Sequence, residues 1–168
     1  MLDGISRVKK AVLISTVVPR FMQFEDNPDG VPPAVIESFR ASMEKDRAQF
    51  FIDVPTGPFF GYNRPGAVVS QGQIDSWFQQ GLQGGLKATY ETTRSWEGDY
   101  REDLKAMDFP ILAIHGDDDQ IVPIKTGAYG IAKLRPDATL KIYPGGPHAL
   151  PNTDPESINN DLLQFLEG

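Results

Sequence analysis

Two stretches of this sequence hold side chains that could do acid–base chemistry. Ala113–Pro123 reads AIHGDDDQIVP, an apolar run that ends in His115 and Gly116 and is followed by Asp117, Asp118 and Asp119. Further on, PGGPHAL places His148 in a turn rich in glycine and proline. Three adjacent carboxylates repel one another and favour protonation, so such a run needs a use. One use is for a buried carboxylate to accept a hydrogen bond from a histidine ring nitrogen. That bond sets the tautomer of the ring and stabilises the imidazolium formed when its other nitrogen takes a proton. His148 is the candidate base of such a pair, or else a turn histidine satisfied by its neighbours. His115 sits within the apolar run and reads as a structural hydrogen-bonding residue. The three aspartates could also bind Mg²⁺ or Ca²⁺, which prefer oxygen ligands, yet no further acidic cluster completes a coordination shell.

The elements on either side of these stretches can bring them together. ILAIHG (111–116) follows Pro110, and TLKIYPGG (139–146) follows the turn signal RPDA; both read as buried strands. Between them KTGAYGIAKL (125–134) has helical spacing, and INNDLLQFLEG (158–168) closes the chain as an amphipathic helix. Strand, helix, strand, helix implies a parallel sheet, with the acidic loop and the His148 turn both at the carboxyl end of the strands, where ligands of open α/β sheets bind.

Near the N-terminus, Arg7, Lys9 and Lys10 precede AVLISTVV (11–18), which imitates a secretory signal. The run is short and β-branched, reaches Pro19 without a small-residue cleavage pattern, and reads as a strand; it is too short to cross a membrane. Residues 19–98 read differently. PPAVIESFRASMEKDRAQFFIDV (32–54) predicts one helix and residues 74–96 one or two more. Between these helices lies GPFFGYNRPG (57–66), an irregular segment in which Phe59, Phe60 and Tyr62, with Trp77 and Phe78 nearby, line a pocket or fill the core. Residues 99–110 predict a short helix stopped before Pro110. The expected organisation is one partial domain: a first strand within 1–18, a helical lid over 19–98, and a βαβα unit over 99–168 carrying the acid and base.

Composition limits the partners. The 168 residues carry a formal net charge of −7 and no cysteine, which leaves no basic face for nucleic acid or an anionic membrane and no thiolate chemistry. Cytoplasm is the default compartment.

Four segments, SRVKKAVLIS, GPFFGYNRPGAVVSQGQIDSWFQQG, DYREDLKAMDFPILAIHGDDDQIVP and LKIYPGGPHAL, together resemble the C-terminal half of the cofactor-free haloperoxidases, also known as non-haem chloroperoxidases, bromoperoxidases or arylesterase/perhydrolases. The resemblance runs from about Ser6 to Gly168. It implies an α/β-hydrolase fold of class α/β, a Ser-His-Asp triad without metal or haem, and hydrolysis of short or aryl esters. It also implies formation of a peracid that oxidises halide. Gly116–Asp119 matches the family's G-x-x-D signature and makes Asp119 the orienting acid and His148 the base. Asp117 and Asp118 are then expected to make turn hydrogen bonds or to face solvent.

The nucleophile elbow G-x-S-x-G has no match. Ser6, Ser15, Ser38, Ser42, Ser70, Ser76, Ser95 and Ser157 are the serines, and none has the flanking glycines. The family carries the elbow upstream of the stretch that matches SRVKKAVLIS, and the oxyanion-hole donors are missing with it. The expectation is a fragment of a serine-dependent hydrolase, needing no cofactor, inactive or nearly so alone. A complementary N-terminal fragment, or a serine reaching His148 from a neighbouring subunit, would complete it for a small ester or carboxylate substrate. The alternative is a non-catalytic, self-assembling structural or engineered fragment. Without its neighbour the first strand becomes an edge, so a homo-oligomer is expected, most simply a two-fold dimer. In it, residues 10–17 of two chains pair antiparallel into a sheet of about six strands.

Overall fold

Alternation along three short strands decides which side of the sheet each apolar residue faces. In the computed structural model, which describes residues 7–168, β1 (Ala11–Ile14), β2 (Ile111–Gly116) and β3 (Thr139–Tyr143) form a parallel sheet in the order β1-β2-β3. Ala11 pairs with Ile111 and Leu112 with Thr139, so the long insertion after β1 returns the chain beside its first strand. β2 lies in the middle and is buried over its whole length. Its odd-numbered residues Ile111 and Ala113 pack with Leu13, Leu140 and Ile142, against Leu104 of α5 (Arg101–Ala106) and Ile131 of α6 (Ala128–Leu134). Its even-numbered residues Leu112 and Ile114 pack with Val12 and Ile14, against Leu150 of α7 (Leu150–Thr153) and Ile158 and Leu162 of α8 (Pro155–Glu167). Each such fully buried aliphatic side chain contributes about 1.5–3 kcal/mol. Helices therefore cover both faces of the sheet, as parallel strands require.

The helices between β1 and β2 are shorter than their apolar spacing predicts. The run at 32–54 is broken into α1 (Pro33–Lys45) and α2 (Arg47–Thr56), because Asp46 adopts an extended backbone. Its carboxylate caps the second helix by accepting from the N–H of Gln49 at 2.9 Å. The stretch 74–96 becomes α3 (Gln71–Gln83), α4 (Leu86–Thr92) and a 3₁₀ turn over Thr93–Glu97, with Gly84 and Gly85 interrupting it. A further cluster of Phe21, Met22, Val31, Ile36 and Val122 ties this region to the loop after β2. The first strand is also shorter than the expected 10–17: it ends at Ile14, and Ser15 turns out of it with φ 46°. Of the expected strand region 1–18, residues 1–6 lie outside the described residues, and Ser6 with them.

Candidate active site

Both loops that leave the carboxyl ends of β2 and β3 meet at a point where no side chain fits. A Cβ on Gly116 would lie 2.1 Å from the carbonyl oxygen of Gly146, so glycine at 116 is what lets the two backbones touch. The N–H groups of Asp117 and Gly146 both donate to the carbonyl of Tyr143, at 3.1 and 3.0 Å. This junction sets the acidic loop against the turn that carries His148.

The three aspartates then diverge. Asp117 Oδ1 accepts from the N–H of Gly145 at 2.6 Å, locking the turn before His148. Asp118 Oδ2 accepts from Arg64 Nε at 2.5 Å, and Arg64 Nη2 also donates to the Asp118 carbonyl. This ion pair fastens the irregular 57–66 segment over the site, while Asp118 itself remains exposed, as expected. Asp119 turns inward, its side chain fully buried, and its Oδ2 lies 2.9 Å from His148 Nδ1. The structure thus brings together the two residues singled out from the sequence. Because each carboxylate serves a different donor, the triplet does not converge on a cation, and no group of three His, Asp or Glu side chains among the described residues could hold a metal.

Asp119 is held rigidly. Its Oδ1 accepts from the N–H groups of Ile121 and Val122 at 2.8 and 2.9 Å. Burial works to raise its pKa, but hydrogen bonds donated by His115 and His148, the charge His148 carries when protonated, and the N–H of Val122 outweigh it, so the carboxyl stays well below the usual carboxylate range. At neutral pH it is an anion, which obliges His148 Nδ1 to carry a hydrogen and leaves Nε2 free to accept one. The His148 side chain is 20 % exposed.

His148 opens on two cavities. The larger, about 480 Å³, is lined by rings from α1, α2, α3, the 3₁₀ turn and the 57–66 segment, among them Phe39, Phe50, Phe51, Phe59, Trp77 and Trp96. Phe59 lies with its ring centroid 5.1 Å from that of His148, and its carbonyl accepts from the N–H of Ala149 at 3.0 Å. The smaller cavity, about 370 Å³, is bordered by Ser15, Phe21, Gln120 and His148. Of the aromatic residues picked out in the sequence, Phe59 and Trp77 line the larger cavity. Phe60 is buried, Tyr62 donates to Gln73 at 2.5 Å, and Phe78 is not part of the lining. Phe39, Phe50, Phe51, Trp96 and Arg64 were not singled out; for Arg64 the available signal was a lone cation in a Gly/Pro loop of a chain with an acidic triplet. Among the described residues no serine hydroxyl is hydrogen-bonded to His148, and Ser15 Oγ is buried with no partner.

Comparison with known proteins agrees with this fold. A family profile described as alpha/beta hydrolase fold matches residues 5–155. The chain is 50 % identical over 162 residues to a non-heme chloroperoxidase of Streptomyces lividans, covering 96 % of this chain and 59 % of the relative. It is 45 % identical over 160 residues to a bifunctional esterase/perhydrolase of Acinetobacter calcoaceticus, covering 95 % and 58 %. The crystal structure of a bromoperoxidase from Bacillus anthracis superposes with a TM-score of 0.90 at 29 % identity, over 96 % of this chain and 59 % of that one. The chain therefore spans about three fifths of the length of the curated relatives it matches. With helices on both faces of a parallel sheet and a family match over most of its length, the chain belongs to the alpha/beta hydrolase fold family.

Proposed function

We propose that Asp119 and His148 are the orienting acid and general base of a serine-dependent ester hydrolase of the haloperoxidase and perhydrolase type, and that the serine comes from outside the described residues. The observation that carries this is the 2.9 Å contact between Asp119 Oδ2 and His148 Nδ1, with Asp119 Oδ1 pinned by two backbone N–H groups. In the reaction, His148 Nε2 takes the proton of the serine hydroxyl as its oxygen attacks the ester carbonyl. The resulting imidazolium, stabilised by Asp119, protonates the departing alkoxide and leaves an acyl-serine. Water activated by the same nitrogen releases the acid. Hydrogen peroxide in place of water releases a peracid, which transfers oxygen to halide; the relative named an esterase/perhydrolase favours this second outcome. The apolar cavity beside His148 suits the hydrocarbon part of a small ester.

The test is completion. The chain alone is expected to hydrolyse p-nitrophenyl acetate at the buffer rate. Joined to the part of the Streptomyces lividans relative that it does not match, it is expected to turn over the same ester. Turnover by the chain alone would place the nucleophile among its own residues and overturn this division of roles.

The free side of β1 supports a partner for the chain alone. The N–H groups of Ala11 and Ser15 donate toward β2, to Pro110 and Ile114 at 3.0 and 2.9 Å, so the intervening Val12 and Ile14 point theirs away from the sheet. Among the described residues no strand pairs with that side. Two copies related by a two-fold axis would satisfy it by antiparallel pairing. Light scattering is expected to show a dimer at micromolar concentration, and Val12→Pro, which removes one outward donor at an edge where proline is tolerated, is expected to give a monomer. A monomer throughout for the unaltered chain would dismiss the pairing.

A further inference from the structure

A second histidine lies behind the acid–base pair. His115, the fifth residue of β2, is buried, with its Nε2 2.9 Å from the carbonyl oxygen of Val122 and 3.2 Å from Asp119 Oδ2. A carbonyl oxygen only accepts, so the bond to Val122 requires Nε2 to carry a hydrogen. The same nitrogen also lies against the carboxylate. The ring is also held from behind: a Cβ on Gly127 would lie 2.4 Å from His115 Cε1 and 2.8 Å from Nδ1, so glycine at 127 makes room for the imidazole in this pose. Asp119 Oδ1 thus accepts from the N–H groups of Ile121 and Val122 and Oδ2 from His148, with His115 Nε2 in contact with the same Oδ2 at 3.2 Å.

We infer that His115 is a positioning residue of this site: by donating to the same carboxylate oxygen as His148, it fixes the plane of Asp119 and restrains the basicity of His148. The physical reason is competition for charge. A carboxylate oxygen that already accepts one hydrogen bond presents less negative charge to the next donor, so Asp119 stabilises the protonated form of His148 less than it would if His148 were its sole partner on Oδ2. The ionisable groups set around His148 are Asp119 in contact and His115 behind it, with Asp117 and the Arg64–Asp118 pair at the margin of the loop; the lid side presents the ring of Phe59.

The catalytic consequence rests on the proposal that His148 is the general base, but the coupling belongs to the folded chain and is measurable without turnover. The sequence has two histidines, so the imidazole Cε1–H signals followed by NMR against pH give two curves, and His115→Phe leaves only that of His148. The expected result is a His148 titration curve displaced to higher pH in His115→Phe. In His115→Gln, whose amide nitrogen reaches the place of the imidazole Nε2, the midpoint is expected to return close to that of the parent. Asp119→Asn is expected to lower it. If the phenylalanine variant does not fold, His115→Asn, with an amide too short to reach Asp119, is expected to show the same rise. An unchanged His148 titration in the folded His115 variant, with Asp119→Asn still lowering it, would reduce His115 to a packing residue. An unchanged titration in Asp119→Asn as well would instead remove the acid–base pair itself, and the proposed function with it.

Discussion

Replacing His148 by alanine in the completed enzyme is expected to lower kcat for p-nitrophenyl acetate by about 10⁶-fold, as removal of the base does in an established serine hydrolase. The size follows from what the imidazole does twice in one turnover. It removes the proton of a serine hydroxyl that is otherwise a weak nucleophile, and it then activates the water that releases the acyl group. No other described side chain lies on Asp119 from the cavity side, because His115 approaches it from the buried interior. Substrate binding depends on the ring-lined cavity, so KM is expected to change far less than kcat. Steady-state kinetics beside a thermal melt make the check. A loss below about tenfold, with the fold intact, would mean that His148 is not the base.

Asp119→Asn is expected to lower kcat by about 10⁴-fold, for a reason visible in the hydrogen bonds around it. Oδ1 of residue 119 accepts from two backbone N–H groups, so the amide oxygen of asparagine must take that position. Its NH₂ group then replaces Oδ2 and faces His148 Nδ1, which has to become an acceptor. The hydrogen moves to Nε2, and the nitrogen that should take the serine proton is already protonated. The same NH₂ also meets the N–H of His115, donor against donor, so the variant is expected to melt at a lower temperature as well. Asp119→Glu would separate the two effects: it keeps the charge but displaces it by one methylene, and is expected to retain more activity than asparagine. Asparagine activity within tenfold of the parent would show that Asp119 does not set the tautomer.

Much of the architecture is local information. ILAIHG and TLKIY are short and rich in β-branched residues, and the structure has strands over Ile111–Gly116, buried throughout, and over Thr139–Tyr143, which the sequence reads as buried but which lies at the sheet edge and is only partly covered. The acidic loop and His148 could be placed together because two successive parallel strands must end on the same side of a sheet, whatever the loops do; which of the three aspartates faces His148 followed only from the resemblance of Gly116–Asp119 to the G-x-x-D signature. Helix lengths were less legible. Apolar spacing continues through Asp46 and up to Gly84, and only the backbone adopted there shows that each helix stops and restarts. The end of β1 was hidden similarly, since Ser15 leaves the strand without a glycine or proline to mark the turn.

What the sequence by itself determined is the sheet-forming runs, an aspartate loop and a histidine turn at their ends, and the lack of a G-x-S-x-G elbow among its serines. Each depends on residue type and near-neighbour pattern alone. Only the tertiary structure decided the fates of the three aspartates, which lie side by side in sequence yet bind the Gly145 turn, Arg64 and His148. It alone showed that Phe39, Phe50, Phe51, Phe59, Trp77 and Trp96 face one cavity, and that His115 shares Asp119 with His148. These are contacts between residues tens of positions apart, set by how helices cross and where two loops touch at Gly116 and Gly146. Periodicity along a chain says which side of an element is apolar; it does not say what that side will meet.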